Sequence, residues 1–235
     1  MLYCVSVWPW ACRFGGTVNL KYCSAIFCGD DAFDTDEGYQ GMGQFLFAML
    51  GTVGNHGTEM DSKTNNNYNS MPRSHPAFYS MTIIGGGAGG RGGGLMRLRE
   101  GTGGKFGNVI LTNPTDIGLR IGDCGSETVT QTLPSASTSI GVAGDAITAG
   151  YLFFSSNNII SGMPVSGSLF TTDSSCSGSI VSWSAVSEDP ALMSAHDLWS
   201  TYDVAQPGSV MPLDPRPMCG GSAFENVDSK PHGRW

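Results

Sequence analysis

A dense group of carboxylates near the start of the chain has the residue types of a cation site. Five acidic residues fall within the eight positions from 30 to 37, and two more follow at about the distance of one repeat. Carboxylate oxygens at this density are the hard ligands that Ca²⁺ prefers, although the position of Gly38 does not match an EF-hand loop. We therefore predict calcium as the cofactor. Its predicted ligands are Asp31, Asp34, Asp36, Glu59 and Asp61.

Basic residues further along the chain offer a different explanation for the same carboxylates. Arg97, Arg99 and Lys105 could pair with them across stacked turns and form a ladder of ion pairs on the protein surface. Individual surface pairs of this kind contribute little to stability. The sequence leaves the metal site and the ion-pair ladder open as alternatives.

The carboxylates, the two arginines and His75 also supply the residue types of polysaccharide cleavage. A lyase would use a metal to neutralise a sugar carboxylate and a basic residue to abstract a proton. A glycosidase would need two carboxylates about 5–10 Å apart. Because the sequence does not show convergence in one groove, we assign no catalytic residue. We predict instead a ligand-binding set of Tyr39, His75, Arg97 and Arg99.

The segment TIIGGGAGGRGGG contains the glycine spacing of a dinucleotide-binding turn. Gly85, Gly87 and Gly90 follow a strand-like run, as that motif requires. The third glycine should also open a helix, and an acid should follow about 20 residues later. Here the glycines continue to Gly94, and the nearest acid, Glu100, belongs to the next turn. We predict a flexible projecting loop and no nucleotide cofactor.

A pair of short patterns repeats four times and must position these residues. Apolar strand-like runs begin at residues 18, 43, 75 and 104, and polar runs ending in charged or Gly-rich turns separate them. Repeats of roughly 20–50 residues are typical of solenoids, in which each unit buries its apolar face against its neighbours. The continuous apolar runs FLFAML and NVILTN indicate covered strands, which favours a β-helix over a sandwich. Phe45, Phe78 and Phe106 are expected to stack at corresponding positions.

Composition agrees with an all-β chain and excludes two classes of partner. There are 34 Gly residues and only 14% charged residues, so tight turns are favoured over long helices. The net charge of −8 argues against nucleic acid, which needs a basic surface. No run approaches the roughly 20 apolar residues of a membrane span.

Seven cysteines give no metal-binding spacing. We expect inward-pointing free thiols that behave as small apolar residues. A disulfide between Cys23 and Cys28 remains the alternative if the protein is exported, so cysteine usage alone does not define the redox compartment.

The motifs DDAFDTDEGYQGMGQF, GNHGTEMDS, PRSHPAFYSMTIIGGG and LMRLREGTGGKFGNVILTN, in this order, resemble a family of exported bacterial right-handed parallel β-helix proteins with algal relatives. Many members of that family are predicted lipoproteins, and the family has no firmly assigned activity. The resemblance covers about residues 15–125. The residues that carry it are Asp31, Phe33, Asp34, Asp36, Gly38, Tyr39, Gln44, Phe45, Gly57, Glu59, Asp61, Ser74, His75, Pro76, Arg97, Leu98, Arg99, Gly101 and Lys105.

Together these observations predict an all-β, right-handed parallel β-helix with Gly- and Ser-rich loop excursions and one short helix near 188–199. The expected organisation is an irregular N-terminus over 1–14, a β-helix over 15–205 and an extended tail with an incomplete cap over 206–235. We expect an extracellular or cell-surface protein, with its export signal upstream of this chain. Its expected role is structural, adhesive or glycan-binding, with a polysaccharide lyase or glycoside hydrolase as the alternative. Solvent-facing aromatic residues would favour glycan binding, and Tyr39, Tyr68 and Tyr79 are the candidates.

Overall fold

The chain folds into parallel β-strands arranged in two sheets. The structure is a computed structural model, which describes residues 2–4, 11–63, 67–68, 70–124, 131–132, 139–140, 152–176, 184–192 and 216–225. Within these residues, helical structure is confined to a single 3₁₀ turn at Gly87–Gly89 and a four-residue helix, α1, at Ser222–Glu225. The fold is therefore all-β, as the composition predicts.

The first sheet contains the long apolar strands. Its members are β1 (Leu2–Cys4), β3 (Leu20–Ile26), β5 (Met42–Met49), β7 (Ala77–Ile84), β9 (Gly104–Thr112), β13 (Leu152–Phe154) and β14 (Ile159–Ser161). The strand order is β1-β3-β5-β7-β9-β13, and β14 also pairs with β9. Every pairing in this sheet is parallel.

The second sheet contains the polar runs that separate the apolar ones. Its members are β2 (Ala11–Phe14), β4 (Phe33–Asp36), β6 (Thr58–Met60), β8 (Met96–Arg99), β10 (Ile117–Gly122) and β15 (Ser168–Thr172). The order is β15-β10-β8-β6-β4-β2, and all pairs are parallel. Two further short strands, β11 (Gln131–Thr132) and β12 (Ser139–Ile140), pair with each other in antiparallel fashion.

Consecutive strands alternate between the two sheets over most of the chain. From β1 to β10 each repeat therefore contributes one strand to each sheet, and the equivalent strands of successive repeats lie side by side. This is the architecture of a parallel β-helix, and it confirms the parallel pairing that the repeats predict.

A stacked bend divides each long strand of the first sheet. Tyr22, Phe45, Ser80 and Asn108 have φ values of 56°, 57°, 55° and 52°, and the strand pairing skips each of these positions. A left-handed residue in a strand changes which side chains point inward, because it interrupts the two-residue alternation. Gly43 and Leu46, three positions apart, are consequently both buried.

The core lies between the two sheets, and an aromatic pair fills one part of it. Phe78 and Phe106 are register partners, both fully buried, with ring centroids 6.4 Å apart in an edge-to-face arrangement. Phe45 does not join them, so the predicted three-membered ladder is wrong. The partner of Phe78 on β5 is Gly43, where a Cβ atom would lie 2.8 Å from the Phe78 ring.

The N-terminal segment and the helix predicted near residue 188 both differ from their predicted structure. The N-terminal segment is not irregular throughout, since β1 pairs with β3 and β2 pairs with β4. Residues 188–192 are not helical: Ala191 has a φ of 52° and Leu192 forms an antiparallel bridge with Pro217. Residues 193–199, the remainder of the predicted helix, lie outside the described residues.

A long-range disulfide replaces the predicted cysteine arrangement. Cys124, just after β10, is bonded to Cys176, just after β15, so the bond joins neighbouring coils of the second sheet. Cys23 and Cys28 do not form the disulfide that the sequence leaves as an alternative. The sequence separation of 52 residues explains why local spacing did not reveal the bonded pair.

The glycine-rich segment is packed against the neighbouring coil in its first half. Gly85, Gly86 and Gly87 are buried, and the backbone N–H groups of Gly85 and Gly87 donate to the carbonyls of Thr112 and Asn113. The prediction of a freely projecting loop is therefore wrong for this half. Within 85–94 the chain makes only the 3₁₀ turn, so the helix that a dinucleotide site requires is not formed.

None of the helices in the described part of the chain is long and apolar enough to cross a membrane.

Candidate charged site

The outward face of the second sheet gathers charged side chains from successive coils. Strand register places Asp34, Glu59, Arg97 and Arg120 in one column across β4, β6, β8 and β10. Their neighbours two positions along, Asp36, Asp61 and Arg99, begin a second column. The residues between these charged positions point into the core, as Thr35, Met60 and Leu98 do, because side chains alternate along a strand. The short strands thus display their charged residues on one surface, which we call the charged face.

Glu59 is the central acceptor of this face. Its Oε1 atom lies 3.2 Å from Nη1 of Arg97 and 3.0 Å from Nη1 of Arg99. The Glu59 side chain is only 14% exposed, so these contacts are largely withdrawn from solvent. Burial, together with the nearby Asp31 carboxylate, raises the pKa of Glu59, and the two arginines oppose that shift.

Further carboxylates surround the two arginines. Arg97 donates through Nη2 to Asp123, whose side chain is 40% exposed. Arg99 donates through Nη2 to Oε1 of Glu100 at 3.0 Å, and its Nε lies 3.2 Å from Oδ1 of Asp61. Lys63 also contacts the same Glu100 oxygen, at 2.7 Å. Each charge therefore has an opposite charge close by, and the face is a connected network.

A buried aspartate–histidine pair adjoins the network. His56 Nδ1 lies 2.8 Å from Asp31 Oδ1, and the backbone N–H of His56 donates to the same oxygen at 2.9 Å. His56 Nδ1 is also 3.8 Å from Oε1 of Glu59. Both members are buried, with 2% and 3% of their surface exposed, so the pair supports the face from beneath.

Two carboxyl groups on adjacent coils hold their protons unusually tightly. Burial raises the pKa of Asp61 to about 9, against the opposing charge of Arg99. Burial raises the pKa of Asp36 to about 6, although a hydrogen bond from the backbone N–H of Glu37 lowers it. Asp36 and Asp61 each lie one residue beyond the paired positions Thr35 and Met60, so they occupy equivalent places in neighbouring strands. Raised carboxyl pKa values are common at functional sites because they allow proton donation near neutral pH.

Arg99 is more firmly charged than an ordinary arginine. Its partial burial lowers its pKa, but the carboxylates of Asp61, Glu59 and Glu100 outweigh burial and raise the pKa above its usual value. An arginine must lose a proton to act as a base. The surroundings of Arg99 therefore favour a role in binding over a role in proton abstraction.

Comparison with known proteins agrees with this architecture. A family model described as a pectate-lyase-like β-helix domain matches residues 12–152, which is more than half of the chain. The chain belongs to this pectate-lyase-like β-helix family. No curated protein matches it, and no solved structure matches it. The match includes β4, β6, β8 and β10, the four strands that carry most of the charged face.

The structure brings together many of the residues that the sequence singled out in this β-helix domain. Asp31, Glu59, Asp61, Arg97 and Arg99 join the network or adjoin it, and Asp34 and Asp36 lie on the same face. The ion-pair alternative describes Arg97 and Arg99 correctly. Lys105, by contrast, belongs to β9 in the first sheet.

Tyr39 and His75 are not placed as a glycan-binding pair would be. Tyr39 is fully buried, and its hydroxyl donates to the carbonyl of Val18, so its predicted exposure as a binding residue is wrong. Tyr79 is buried as well, with 2% exposed. His75 lies in the segment before β7, where its backbone N–H donates to the carbonyl of Tyr39.

His56 is the histidine that the sequence reasoning missed. It lies in the motif GNHGTEMDS, three residues before Glu59, and the register of β4 and β6 brings it to Asp31. The available signal was therefore its position in the motif that supplied Glu59 and Asp61. Its pairing depends on a contact between residues 25 positions apart.

The predicted calcium ligands do not form an oxygen cage. Among the described residues, the group of potential metal-binding side chains is Asp31, His56 and Glu59, whose ligand atoms lie within 4.8 Å of one another. Ca²⁺ requires six to eight oxygen ligands. This group offers a ring nitrogen and a carboxylate oxygen already bound by two guanidinium groups, so it does not fit Ca²⁺. Calcium binding consequently plays no part in the function proposed below, and the sequence-based prediction is left to the melting-temperature experiment described there.

Proposed function

We propose that this protein is an exported or cell-surface β-helix that binds a glycan on the charged face. The observation that carries the proposal is the convergence of Glu59, Arg97, Arg99 and Asp123 on one surface spanning three coils. Sugars present many hydroxyl groups, each able to donate and accept hydrogen bonds. Paired carboxylates and guanidinium groups offer fixed acceptors and donors at the spacing of adjacent strands, about 4.8 Å.

The near balance of charges favours recognition through hydroxyl groups. Two arginines and Lys63 face the carboxylates of Glu59, Glu100 and Asp123, and the raised pKa of Asp61 keeps that carboxyl largely neutral near pH 7. The face therefore has no large excess of positive charge to select an anion. The ion pairs also fix the side chains before a ligand arrives, which reduces the entropy lost on binding.

The exported setting and the hand of the coil belong to the same proposal. The disulfide between Cys124 and Cys176 supports an oxidising environment, because such bonds are rare in the cytosol. A right-handed coil is supported by the general preference of parallel strand crossovers, about 98% of which are right-handed.

A glycoside hydrolase is the second candidate function. Asp36 and Asp61 occupy equivalent positions on adjacent strands and both have raised pKa values, so one could donate a proton while a neighbouring carboxylate acts as base. A lyase with an arginine base is less well supported, since the pKa of Arg99 is raised.

A glycan array combined with a reducing-end assay tests the proposal. We expect saturable binding of a glycan that Asp123→Asn and Arg97→Gln each weaken at least tenfold. Lys105→Gln, which removes a cation from the other sheet, should leave the affinity unchanged and serves as the charge-matched control. Absence of binding to any glycan, or an equal loss of affinity in Lys105→Gln, would contradict the proposal. Release of reducing ends that is lost in Asp36→Asn would favour the hydrolase.

Calcium is tested by thermal unfolding. A ligand that binds only the folded state raises the melting temperature by mass action. Because the described carboxylates do not fit Ca²⁺, we expect the same melting temperature in millimolar Ca²⁺ and in chelator. A melting temperature that is higher in Ca²⁺ than in chelator, with the difference lost in Asp34→Asn, would support the sequence-based prediction of a calcium site.

A further inference from the structure

A peptide bond between Asp189 and Pro190 lies where two segments from the later part of the chain meet. The segment that contains it, residues 184–192, contacts residues 216–225 through the antiparallel bridge between Leu192 and Pro217. The nitrogen of such a bond is a tertiary amide nitrogen that carries no hydrogen. An Asp–Pro bond therefore places a carboxylate directly before a basic leaving group, which is a combination suited to cleavage of the chain.

The carbonyl oxygen of this bond accepts a hydrogen bond from a hydroxyl group far away in the sequence. Ser222, the first residue of α1, donates through Oγ to the carbonyl oxygen of Asp189. The approach depends on Gly221, because a Cβ atom there would lie 2.7 Å from the Cβ atom of Ala191. A donor at this oxygen stabilises the negative charge that develops when the carbonyl carbon is attacked.

The carboxylate of Asp189 is held close to the same bond. Its Oδ1 atom accepts from the backbone N–H of Ala191 at 2.8 Å, so the side chain folds back along its own main chain across the bond to Pro190. Carboxylates serve as nucleophiles in covalent catalysis. Attack by this carboxylate on its own carbonyl carbon would close a five-membered ring, and a reaction within one residue has a high effective concentration.

The residue after Pro190 has an unfavourable backbone conformation. Ala191 has a φ of 52°, in the left-handed region that residues with a Cβ atom rarely occupy. The backbone N–H of Met218 donates to its carbonyl at 2.8 Å, and Pro190 and Leu192 on either side are buried. Strain of this kind persists only where the surroundings enforce it. Cleavage before Pro190 would free one side of the turn, so the strain favours the cleaved chain.

We propose that the protein cleaves its own chain between Asp189 and Pro190. A carboxylate oxygen of Asp189 bonds to its own carbonyl carbon, and the hydroxyl of Ser222 stabilises the oxyanion that forms. The carbon–nitrogen bond then breaks, and the nitrogen of Pro190 leaves with the electron pair and takes a proton from water. The product on Asp189 is a cyclic anhydride. Water opens it and restores the side-chain carboxylate beside a new α-carboxylate, so the reaction consumes one water molecule and needs no other reactant.

The cut would change how the C-terminal part of the chain is attached. Leu192 and Ala223 both follow the cut, and they pack in an apolar cluster with Met49 and Ile84 of the first sheet. After cleavage, residues 190–235 would be bound to the β-helix without a peptide bond, and their release would uncover Met49 and Ile84. This processing does not depend on the glycan binding proposed above, because it requires no ligand.

Intact-mass spectrometry of the purified protein tests the proposal. Folded protein is incubated at pH 6 with protease inhibitors, and the same protein in guanidinium chloride serves as the unfolded reference. We expect one fragment that ends at Asp189 and one that begins at Pro190. Their rate of appearance should be independent of protein concentration, since the reaction is intramolecular, and at least tenfold higher in the folded protein than in denaturant.

Variants separate self-cleavage from proteolysis. Ser222→Ala should slow cleavage at least tenfold, and Ser222→Thr, which keeps the hydroxyl, should restore most of the rate. A protease would act faster on Ser222→Ala, because loss of the contact loosens the segment, so the two explanations predict opposite changes. Asp189→Glu keeps the charge but would need a larger ring, and should slow cleavage at least tenfold. Ser187→Ala, at an exposed serine two residues earlier, is the matched control and should cleave at the wild-type rate.

Hydroxylamine tests for the anhydride. We expect it to react with this intermediate and leave a hydroxamate on the fragment that ends at Asp189, whereas direct attack of water on the peptide bond would leave none. Circular dichroism checks that each variant is folded, and Asp189→Glu, at an exposed position, keeps the test decisive if Ser222→Ala is unstable.

Four results would overturn the proposal. They are absence of cleavage in the folded protein, equal rates in the folded protein and in denaturant, cleavage in Ser222→Ala that is as fast as in the wild type or faster, and absence of the hydroxamate. Cleavage without any glycan binding would leave this inference intact and count only against the function proposed for the charged face.

Discussion

Arg99 donates to Glu59 across adjacent strands of the second sheet, with 3.0 Å between Nη1 and Oε1. The two residues are 40 positions apart in the sequence, and the coil brings them together. Since Glu59 also accepts from Arg97, one carboxylate joins both arginines. The charged face depends on this shared acceptor.

Removing the charge of Glu59 should destabilise the protein. In Glu59→Gln the guanidinium groups of Arg97 and Arg99 both lose an anionic partner. The Glu59 side chain is only 14% exposed, so water compensates little for that loss. Loss of one partner from a buried pair typically costs 3–5 kcal/mol. Because the carboxylates of Asp123 and Glu100 still face the arginines, we expect a smaller loss of about 1–3 kcal/mol in the free energy of unfolding.

Urea denaturation measures this loss. Glu37→Gln is the matched control, because Glu37 is exposed at the end of β4. A change of less than about 0.5 kcal/mol is expected there, as for ordinary surface substitutions. Equal stability of Glu59→Gln and the wild type would show that the network does not stabilise the fold.

Asp61 should make stability depend on pH. Its pKa is about 9 in the folded protein and 3.8 in the unfolded reference. A raised pKa means that the folded state keeps a proton that the unfolded state has released. The resulting stabilisation is fully present below about pH 4 and is lost as pH rises towards 9, with a slope of at most about 1.4 kcal/mol per pH unit.

Asp61→Asn removes this proton and should flatten the dependence. We would compare unfolding free energies at pH 6.5 and 8.5, above the pKa of about 6 at Asp36. Wild type should lose stability between these values and Asp61→Asn should lose clearly less. The same substitution at Asp30, in the loop before β4, should retain the wild-type slope. Identical slopes in wild type and Asp61→Asn would disprove the raised pKa.

The position of Phe45 outside the core gives a prediction about truncation. Phe78→Ala should cost about 3–5 kcal/mol, because the ring is fully buried against Phe106. Phe45→Ala should cost far less, since its ring is 42% exposed. Thermal or chemical denaturation of the two variants makes the comparison. A cost for Phe45→Ala equal to that for Phe78→Ala would restore the three-membered ladder.

The packed half of the glycine segment should tolerate no side chain. A Cβ at Gly85 would lie 2.4 Å from the carbonyl oxygen of Asn113, whereas one at Gly89 would meet its nearest atom, on Thr52, at 3.6 Å. Gly85→Ala should therefore cost about 1–3 kcal/mol, and Gly89→Ala should be close to neutral. Melting temperatures of the two variants provide the measurement. Similar values for both would support the projecting loop that the sequence predicts.

Sequence reasoning succeeded where the signal is local. The runs beginning at residues 43 and 104 predict β5 and β9, because each is a mainly apolar run of strand length bounded by turn residues. The runs between them, in which charged and apolar residues alternate, predict the strands of the second sheet. Glu59 and Arg97 were expected near one another because the repeat spacing places them on stacked turns, and the strand register confirms that they are neighbours.

The remaining features depend on contacts that no local pattern encodes. The left-handed bend at Phe45 reverses the inward and outward positions, so a simple alternation places this ring in the core. Asn158 is another example: it lies in the turn between β13 and β14. Its side chain accepts from the N–H of Val109 at 2.8 Å and donates to the carbonyl of Phe106 at 3.0 Å, which ties that turn to β9.

Chemical-shift mapping of the labelled protein with the glycan selected on the array tests the central proposal most directly. We predict that the largest amide shifts fall in β8 and at the end of β10, around Arg97, Arg99 and Asp123, and that they disappear in Asp123→Asn. A saturating glycan that leaves these amides unshifted would contradict glycan binding on the charged face.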